Sequence, residues 1–425
     1  MVPLFGARHH PNFLVSQKMF HRRGRVIFPH EVKEDILHMH QFVSPKKIVT
    51  GEGSLQNLAN IIKDYEANKV FIFADPILVK VGVTAKLEQL MNDAELAFEI
   101  FTGIQPEPPL TIGNAAVQAI RDFGADIVVG IGGGSCIDIA KASAVLACNE
   151  GSIEDYLNLT GTKKFANKGL PKILIPTTAG TGAEITDIAV FSLEDTKDVI
   201  THEYLLADVA VIDPELTYSL PPRVTAASGI DALTHAVEAF LSINATPLTD
   251  TLALEAIRKL SGNVRTAVWN GKDREARKEM AWGSMIAGLS FYNAGVAGVH
   301  ALAYPLGGLF KIPHGEANAV LLPYVINYIW ASCLPKMVIL AEAIGVPTEG
   351  KSDRTIALEV VQAIRDLVED VGLPLTLEEY GISDGDLDLL AVNAMKQTRL
   401  LVRSPKPFSL HTTKSVFEAA FKGKI

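Results

Sequence analysis

Residues 42–49 read as an early strand, and four short apolar runs follow at 69–74 (KVFIFA), 125–131 (ADIVVGI), 172–175 (KILI) and 208–212 (DVAVI). These runs are rich in β-branched or aromatic residues and do not alternate cleanly with polar ones. Strands of that kind are buried on both faces, which predicts a parallel sheet covered by helices. Helical periodicity fills the gaps, most clearly over residues 110–123 and 137–147. After DPELTYSLPP (213–222) the strand signals fade, and the remainder is long, Ala- and Leu-rich helical pattern broken at Pro and Gly. The pattern therefore predicts an N-terminal arm (1–40), an α/β domain (41–217) and an all-helical domain (218–425). A cleft between two such domains is a favoured place for a ligand.

The bulk properties narrow the class. A chain of 425 residues exceeds what one core usually supports. With 48% hydrophobic and 20% charged residues and a mean hydropathy of +0.22, it can build a large core. A net charge of −9 gives no general attraction to nucleic acid or to anionic membranes. Three scattered cysteines without CxxC spacing suggest a reducing, cytoplasmic setting. Residues 280–310 contain no Asp, Glu, Lys or Arg, which raises the question of a membrane span. Their many glycines fit better with helices packed inside a globular domain, with breaks expected near Asn293 and Pro305. The first acidic residue is Glu31, whereas Arg8, Lys18, Arg22, Arg23 and Arg25 are basic, as in a transit peptide. Because Ser is scarce and Pro3 and Pro11 interrupt any helix, an arm packing on the body or on a partner subunit is expected instead.

Three glycine-rich turns fall in the α/β half. GGGSCIDIAKA, from Gly132, follows the run ADIVVGI. Its glycines permit close approach of backbone N–H groups to a phosphate, and Ser135 is placed to cap a helix whose positive end favours an anion. This is neither GxGxxG nor a P-loop, so a plain strand-to-helix turn stays an alternative. TTAGTGAE (177–184) offers hydroxyls suited to ribose and phosphate, as an ordinary polar loop also would. GEGS (51–54) precedes a helix and is placed to close over a ligand. Asp75 ends KVFIFA, where an acidic group can bind ribose hydroxyls and repel a 2′-phosphate.

SGIDALTHAVEAF (228–240) carries Asp231 and His235 four positions apart, on one face of an apolar helix. Six of the eleven histidines lie in the first 40 residues, which leaves few for the body of the chain. Two of these, His300 and His314, fall in the apolar stretch GVAGVHALAYPLGGLFKIPHGEAN. One carboxylate with three imidazoles suits a divalent transition metal with open positions, and zinc or ferrous iron fits by ligand type.

GGGSCIDIAK, PTTAGTGAE, GIDALTHAVEAF and HALAYPLGGLFKIPHGEANAVLLP together resemble, in order, the signatures of the iron-containing (group III) alcohol dehydrogenases. The resemblance runs from about Phe42 to the C-terminus. It implies the dehydroquinate-synthase-like architecture, a dinucleotide-binding α/β domain followed by a helical metal-binding domain. It implies NAD rather than NADP, one divalent metal (Fe2+, with Zn2+ as the alternative), a small alcohol or aldehyde substrate and a homodimer. By the resemblance, Asp231, His235, His300 and His314 hold the metal. Gly132, Gly133, Gly134, Ser135 and Asp138 form the pyrophosphate turn, and Thr177, Thr178 and Thr181 line the cofactor. Lys197 falls near the nicotinamide ribose, and Asp75 marks NAD preference. Tyr304 stands where many relatives carry a histidine and is a candidate for proton relay or for packing. QPEPPLT (105–111) replaces a common Pro-Asn-Pro-Thr, and Ala183 a usual Ser. The reaction implied is hydride transfer from a metal-polarised alcohol to the nicotinamide. A zinc polyol dehydrogenase and a dehydroquinate-synthase-like enzyme of the same architecture are the alternatives.

Overall fold

The computed structural model describes residues 40–106, 108–193 and 197–425. Apart from His40, the arm expected over 1–40 lies outside the described residues, as does Glu107. Among the described residues eight strands occur: β1 (Lys47–Thr50), β2 (Lys69–Ala74), β3 (Ala97–Phe101), β4 (Ile127–Gly132), β5 (Lys172–Pro176), β6 (Ile188–Ser192), β7 (Lys197–Thr201) and β8 (Val209–Ile212). Six form one parallel sheet in the order β1-β8-β5-β4-β2-β3, and β6 with β7 makes a separate antiparallel hairpin. Among the described residues no strand follows β8, so the α/β half and the helical half succeed one another as the sequence pattern predicts.

The expected strand at 42–49 begins only at Lys47. Ahead of it, the Asn293 side chain takes the Val43 backbone on both sides, accepting its N–H at 2.7 Å and donating to its carbonyl at 2.9 Å. That backbone is thus committed to a distant asparagine and not to the sheet. The pattern did not announce β3, an edge strand carrying Glu99, nor the hairpin, whose strands carry Lys197 and Asp198. Short half-buried strands leave only a weak apolar signal.

Helices α1 (Leu58–Lys63), α2 (Pro76–Lys80), α3 (Val83–Asp93), α4 (Leu110–Phe123) and α5 (Gly134–Leu146) link the strands. Val70, Ile72 and Ala74 of β2 pack in one core with residues of α1 and α3, while Phe71 and Phe73 pack in another with α4 and α5. From β2 the chain therefore turns toward one face of the sheet, and from β4 toward the other. Neighbouring strands whose connections diverge in this way leave a crevice at their carboxyl ends, the usual nucleotide site of open parallel sheets. Asp75 and the GGGS turn stand at that crevice.

The helical half comprises α6 (Pro222–Leu241), α7 (Pro247–Trp269), α8 (Arg274–Ala294), α9 (Gly298–Phe310), α10 (His314–Ile329), α11 (Leu334–Ile344), α12 (Asp353–Asp370), α13 (Leu387–Ala394), α14 (Thr398–Leu401) and α15 (Leu410–Lys422). α6 packs against α7, α8 and α10, and every residue from Gly229 to Leu241 is buried. A helix buried all round gives its polar side chains no access to water, so Asp231, His235 and Glu238 must find partners inside.

The charge-free stretch is shared between α8 and α9, which meet at 104° across a break at 295–297; no single helix of the described residues is long and apolar enough to cross a membrane. The break near Asn293 agrees with expectation. The one expected at Pro305 does not occur, because Pro305 lies inside α9. The helix there forgoes one backbone hydrogen bond and is held by its buried neighbours.

Candidate active site

Asp231, His235 and Glu238 occupy one face of α6 by their spacing of four and three. His300 comes from the first turn of α9, and His314 opens α10. Asp231, His235 and His300 are at most 5% exposed, while His314 is partly open. Ligand atoms of Asp231, His300 and His314 lie within 4.8 Å of one another, and His235 Nε2 is 3.0 Å from His300 Nε2. Phe291 stacks on the His235 ring at 4.2 Å between centroids.

The cluster holds more acceptors than the protein satisfies. Glu238 Oε2 lies 2.6 Å from His300 Nδ1 and its other oxygen accepts the Val299 N–H, so the His300 proton sits on Nδ1 and a lone pair faces inward from Nε2. Asn318, one turn beyond His314 on α10, points its Nδ2 at Asp231 Oδ1 (2.7 Å) and at Nε2 of both His300 and His314 (3.2 Å each). Two amide hydrogens cannot serve three acceptors. Converging lone pairs of Asp231, His300 and His314 therefore fit a divalent cation, and His235, outside that group of three, stands beside His300. Burial would push the Asp231 carboxyl up, but the imidazoles of His235, His314 and His300 outweigh it and hold its pKa below the ordinary range. Burial drives His235 down to about 4 and His314 to about 3, against the pull of Asp231, so both rings are neutral at pH 7 as ligation requires.

A cavity of about 400 Å³ runs from Gly134, Ser135 and Thr181 to His235, His300 and His314. Lys197, Asp138 and Tyr304 also line it. The glycine turn is closely fitted. A Cβ on Gly132 would stand 2.4 Å from Asp75 Oδ2, and one on Gly134 would stand 3.0 Å from the Thr181 side chain. Asp75 accepts the Gly133 N–H at 2.5 Å, so part of its carboxylate holds the turn itself. The cap of α5 falls to Gly133, not to Ser135, whose place in the first turn lines the cavity.

Other expected residues are placed differently. Thr177 is buried, its N–H bonded to the Gly132 carbonyl at 3.0 Å, and Thr178 lies beside Gly133. Asp138 is tied to Lys141 Nζ at 2.9 Å and accepts the Val190 N–H at 3.0 Å, which anchors the hairpin to α5. The GEGS turn is pinned to β8, with the N–H groups of Gly53 and Leu55 donating to the Asp213 carboxylate. Tyr304 stands 6.4 Å from the His314 ring, its hydroxyl pKa raised by burial against the lowering charge of Arg399. Sequence reasoning did not single out Glu238, Asn318, Phe291, Arg399 or Arg403. The first two were accessible to the spacing argument that found Asp231 and His235, since each sits three or four residues beyond a candidate ligand.

Comparison with known proteins bears on the whole chain. The family model for iron-containing alcohol dehydrogenase matches residues 45–214, and that for the C-terminal part of the Fe-containing alcohol dehydrogenase family matches residues 225–421. Long-chain-alcohol dehydrogenase 1 of Geobacillus thermodenitrificans is 51% identical over 91% of this chain and 98% of its own length. The crystal structure of a 1,3-propanediol oxidoreductase superposes with a TM-score of 0.86 at 34% identity, covering 90% of this chain and 100% of that one. The sulfoacetaldehyde reductase of Bifidobacterium kashiwanohense, solved in complex with NAD+, superposes with a TM-score of 0.81 at 28% identity over 90% of this chain and 98% of that one. With both halves matched and the same two-part fold shared, the chain belongs to the iron-containing alcohol dehydrogenase family.

Proposed function

We propose that this protein is an NAD-dependent, metal-dependent alcohol dehydrogenase that interconverts a small alcohol (a primary alcohol, diol or hydroxyacid) with its aldehyde or ketone. The observation that carries this reading is one cavity joining the glycine turn at the sheet crevice to a buried shell of one carboxylate and three imidazoles. Asp231, His235, His300 and His314 would hold Fe2+, or Zn2+ in its place, and such a cation supplies a Lewis acid for the alcohol oxygen. NAD seated on Gly132, Gly133, Gly134 and Ser135 supplies the hydride acceptor.

The remaining work belongs to the chain. Glu238 fixes the tautomer and orientation of His300, and Phe291 fixes the ring plane of His235. Phe291, Val296 and Leu400 make the wall apolar, which keeps water from the reacting carbon. Thr181 and Lys197 flank the space between the turn and the cluster, where the nicotinamide ribose would lie. With its pKa raised by burial, Tyr304 keeps its proton at neutral pH and acts as a hydrogen-bond donor, not as a base. We place the division between the dinucleotide and metal domains at residues 217/218, inside the proline-rich joint. Three free cysteines suit a cytoplasmic setting. Assembly as a homodimer, without nucleic acid or membrane as partner, follows from the family resemblance and the net charge of −9.

The test is an NADH-formation screen over short primary alcohols, diols and hydroxyacids, with each divalent metal added back to chelated protein. NADH with iron or zinc is expected. No NADH with any metal and any alcohol overturns the reading.

A further inference from the structure

Two arginines enter the cavity wall from the last part of the chain. Arg399 lies on α14, and Arg403 follows two residues after its end. Arg403 is half-buried and Arg399 exposed, and among the described residues neither guanidinium donates a hydrogen bond or forms an ion pair. The buried cations Lys141 and Arg277, by contrast, donate to oxygens at 2.8 and 2.7 Å.

Arg403 is placed with care. Its backbone N–H bonds to the Leu400 carbonyl and its own carbonyl accepts the Ile243 N–H at 3.0 Å, so the stem starts from a fixed point. The stem then crosses Gly295, where a Cβ would stand 2.5 Å from Arg403 Cδ and 2.7 Å from Cζ. Only glycine permits that crossing, and its φ of 83° also suits no other residue well. The α8–α9 break therefore makes room for the guanidinium to reach the cavity. The wall's carboxylates do not answer these charges: Asp138 is held by Lys141, and Asp187 lies beside Tyr292. Glu238, which faces the same region, is spent on His300 and Val299.

We propose that Arg399 and Arg403 form an anion subsite, and that the alcohol or aldehyde this enzyme handles carries a terminal carboxylate or sulfonate. The proposal rests on reading the cavity as that of an alcohol dehydrogenase. Two guanidiniums beside one another, neither in an ion pair, match the planar, two-oxygen face of such a group. Burial and then the neighbouring Arg399 lower the pKa of Arg403 against a raising by Glu238 and Tyr304, which places the two guanidiniums within reach of each other's charge. Bound there, the anion keeps the hydroxyl-bearing carbon at the far end of the substrate, toward His300 and His314.

The decisive experiment compares kcat/KM for 4-hydroxybutyrate and 3-hydroxypropane-1-sulfonate with that for 1-pentanol, using metal-reconstituted enzyme and NAD. Wild type should favour the anionic substrates, and the anionic-to-neutral ratio should fall about tenfold or more in Arg403→Met and again in Arg399→Met. Arg403→Lys, which keeps the charge and a stem over Gly295, should retain part of the preference. In parallel, calorimetry with unreactive butyrate and propane-1-sulfonate on NADH-loaded, metal-free protein should show binding that the double variant loses. A ratio that does not change in the variants overturns the proposal and leaves the dehydrogenase reading standing. So does a loss of NADH affinity as large as the loss of anion affinity, because the pair would then serve the dinucleotide phosphates. If no substrate yields NADH, the dehydrogenase reading fails, and the titration with butyrate still decides whether the arginines bind an anion.

Discussion

Glu238 Oε2 and His300 Nδ1 stand 2.6 Å apart in a region closed to water, and this contact determines which nitrogen of His300 faces Asp231, His235 and His314. A carboxylate behind a ligating imidazole sets the tautomer and raises its basicity. Removing such partners typically weakens metal affinity by about 10- to 100-fold. Glu238→Gln, whose carbonyl oxygen can still accept a hydrogen bond from His300 Nδ1–H, should fall near the lower figure, and Glu238→Ala near the upper. Competition with a metal-sensitive chelator measures both. Unchanged metal affinity in Glu238→Ala would remove the role given to this carboxylate.

Asp231→Ala and His300→Ala should abolish turnover and leave the affinity for NADH within about twofold. The glycine turn stands on the sheet, and the cluster stands on α6, α9 and α10, so the two can be damaged separately. Fluorescence titration of NADH against steady-state rates decides the matter. A loss of NADH affinity equal to the loss of rate would contradict the separation.

Asp75 serves two purposes that substitution can divide. Its Oδ2 holds the Gly133 N–H, and its charge stands at the crevice where a 2′-phosphate would have to lie. Asp75→Asn keeps an acceptor for Gly133 and drops the charge. It should raise the NADP-to-NAD ratio of kcat/KM by about tenfold with little loss of NAD affinity. Asp75→Gly should raise the ratio similarly but also weaken NAD binding, because the turn loses its tether. An unchanged ratio in both variants would count against any cofactor role for this residue.

Glu184, in the TTAGTGAE loop, is 2% exposed, and burial raises its carboxyl from an ordinary value of 4.5 to about 7, against a lowering by Lys141. A raised value means that the folded protein holds this proton more tightly than the unfolded chain. The stabilisation is complete below pH 4.5 and is lost as the pH climbs through about 7. Glu184→Gln mimics the protonated state. Its melting temperature should match wild type near pH 5 and exceed it at pH 8.5, where the stability gained is on the order of 2–3 kcal/mol. Parallel melting curves for the two proteins across that range would dismiss the titration.

The sequence and the structure agree best where one element carries the whole signal. KVFIFA became β2 without a residue gained or lost, and residues 110–123 became α4, because apolar periodicity and flanking breakers act locally. The pairing of Asp231 with His235 was visible for the same reason, and Glu238 and Asn318 lay within reach of that argument. Elsewhere local rules were overruled. Pro305 remains helical because the core around α9 compensates for a lost hydrogen bond. The strand expected from residue 42 starts late because Asn293, some 250 residues away, takes its backbone.

Periodicity, glycine placement and side-chain spacing are properties of neighbours along the chain, and through them the amino-acid order alone pointed to the α/β-then-helical division, the crevice turn and the four candidate ligand positions on α6, α9 and α10. Only folding decided what those pieces face. Asp75 binds the turn's backbone as well as facing the crevice, Asp138 is tied to Lys141, and Arg399 and Arg403 line the cavity from far along the chain, Arg403 across Gly295. Such contacts join residues dozens to hundreds of positions apart. They depend on how whole helices and strands pack, and no local pattern encodes that.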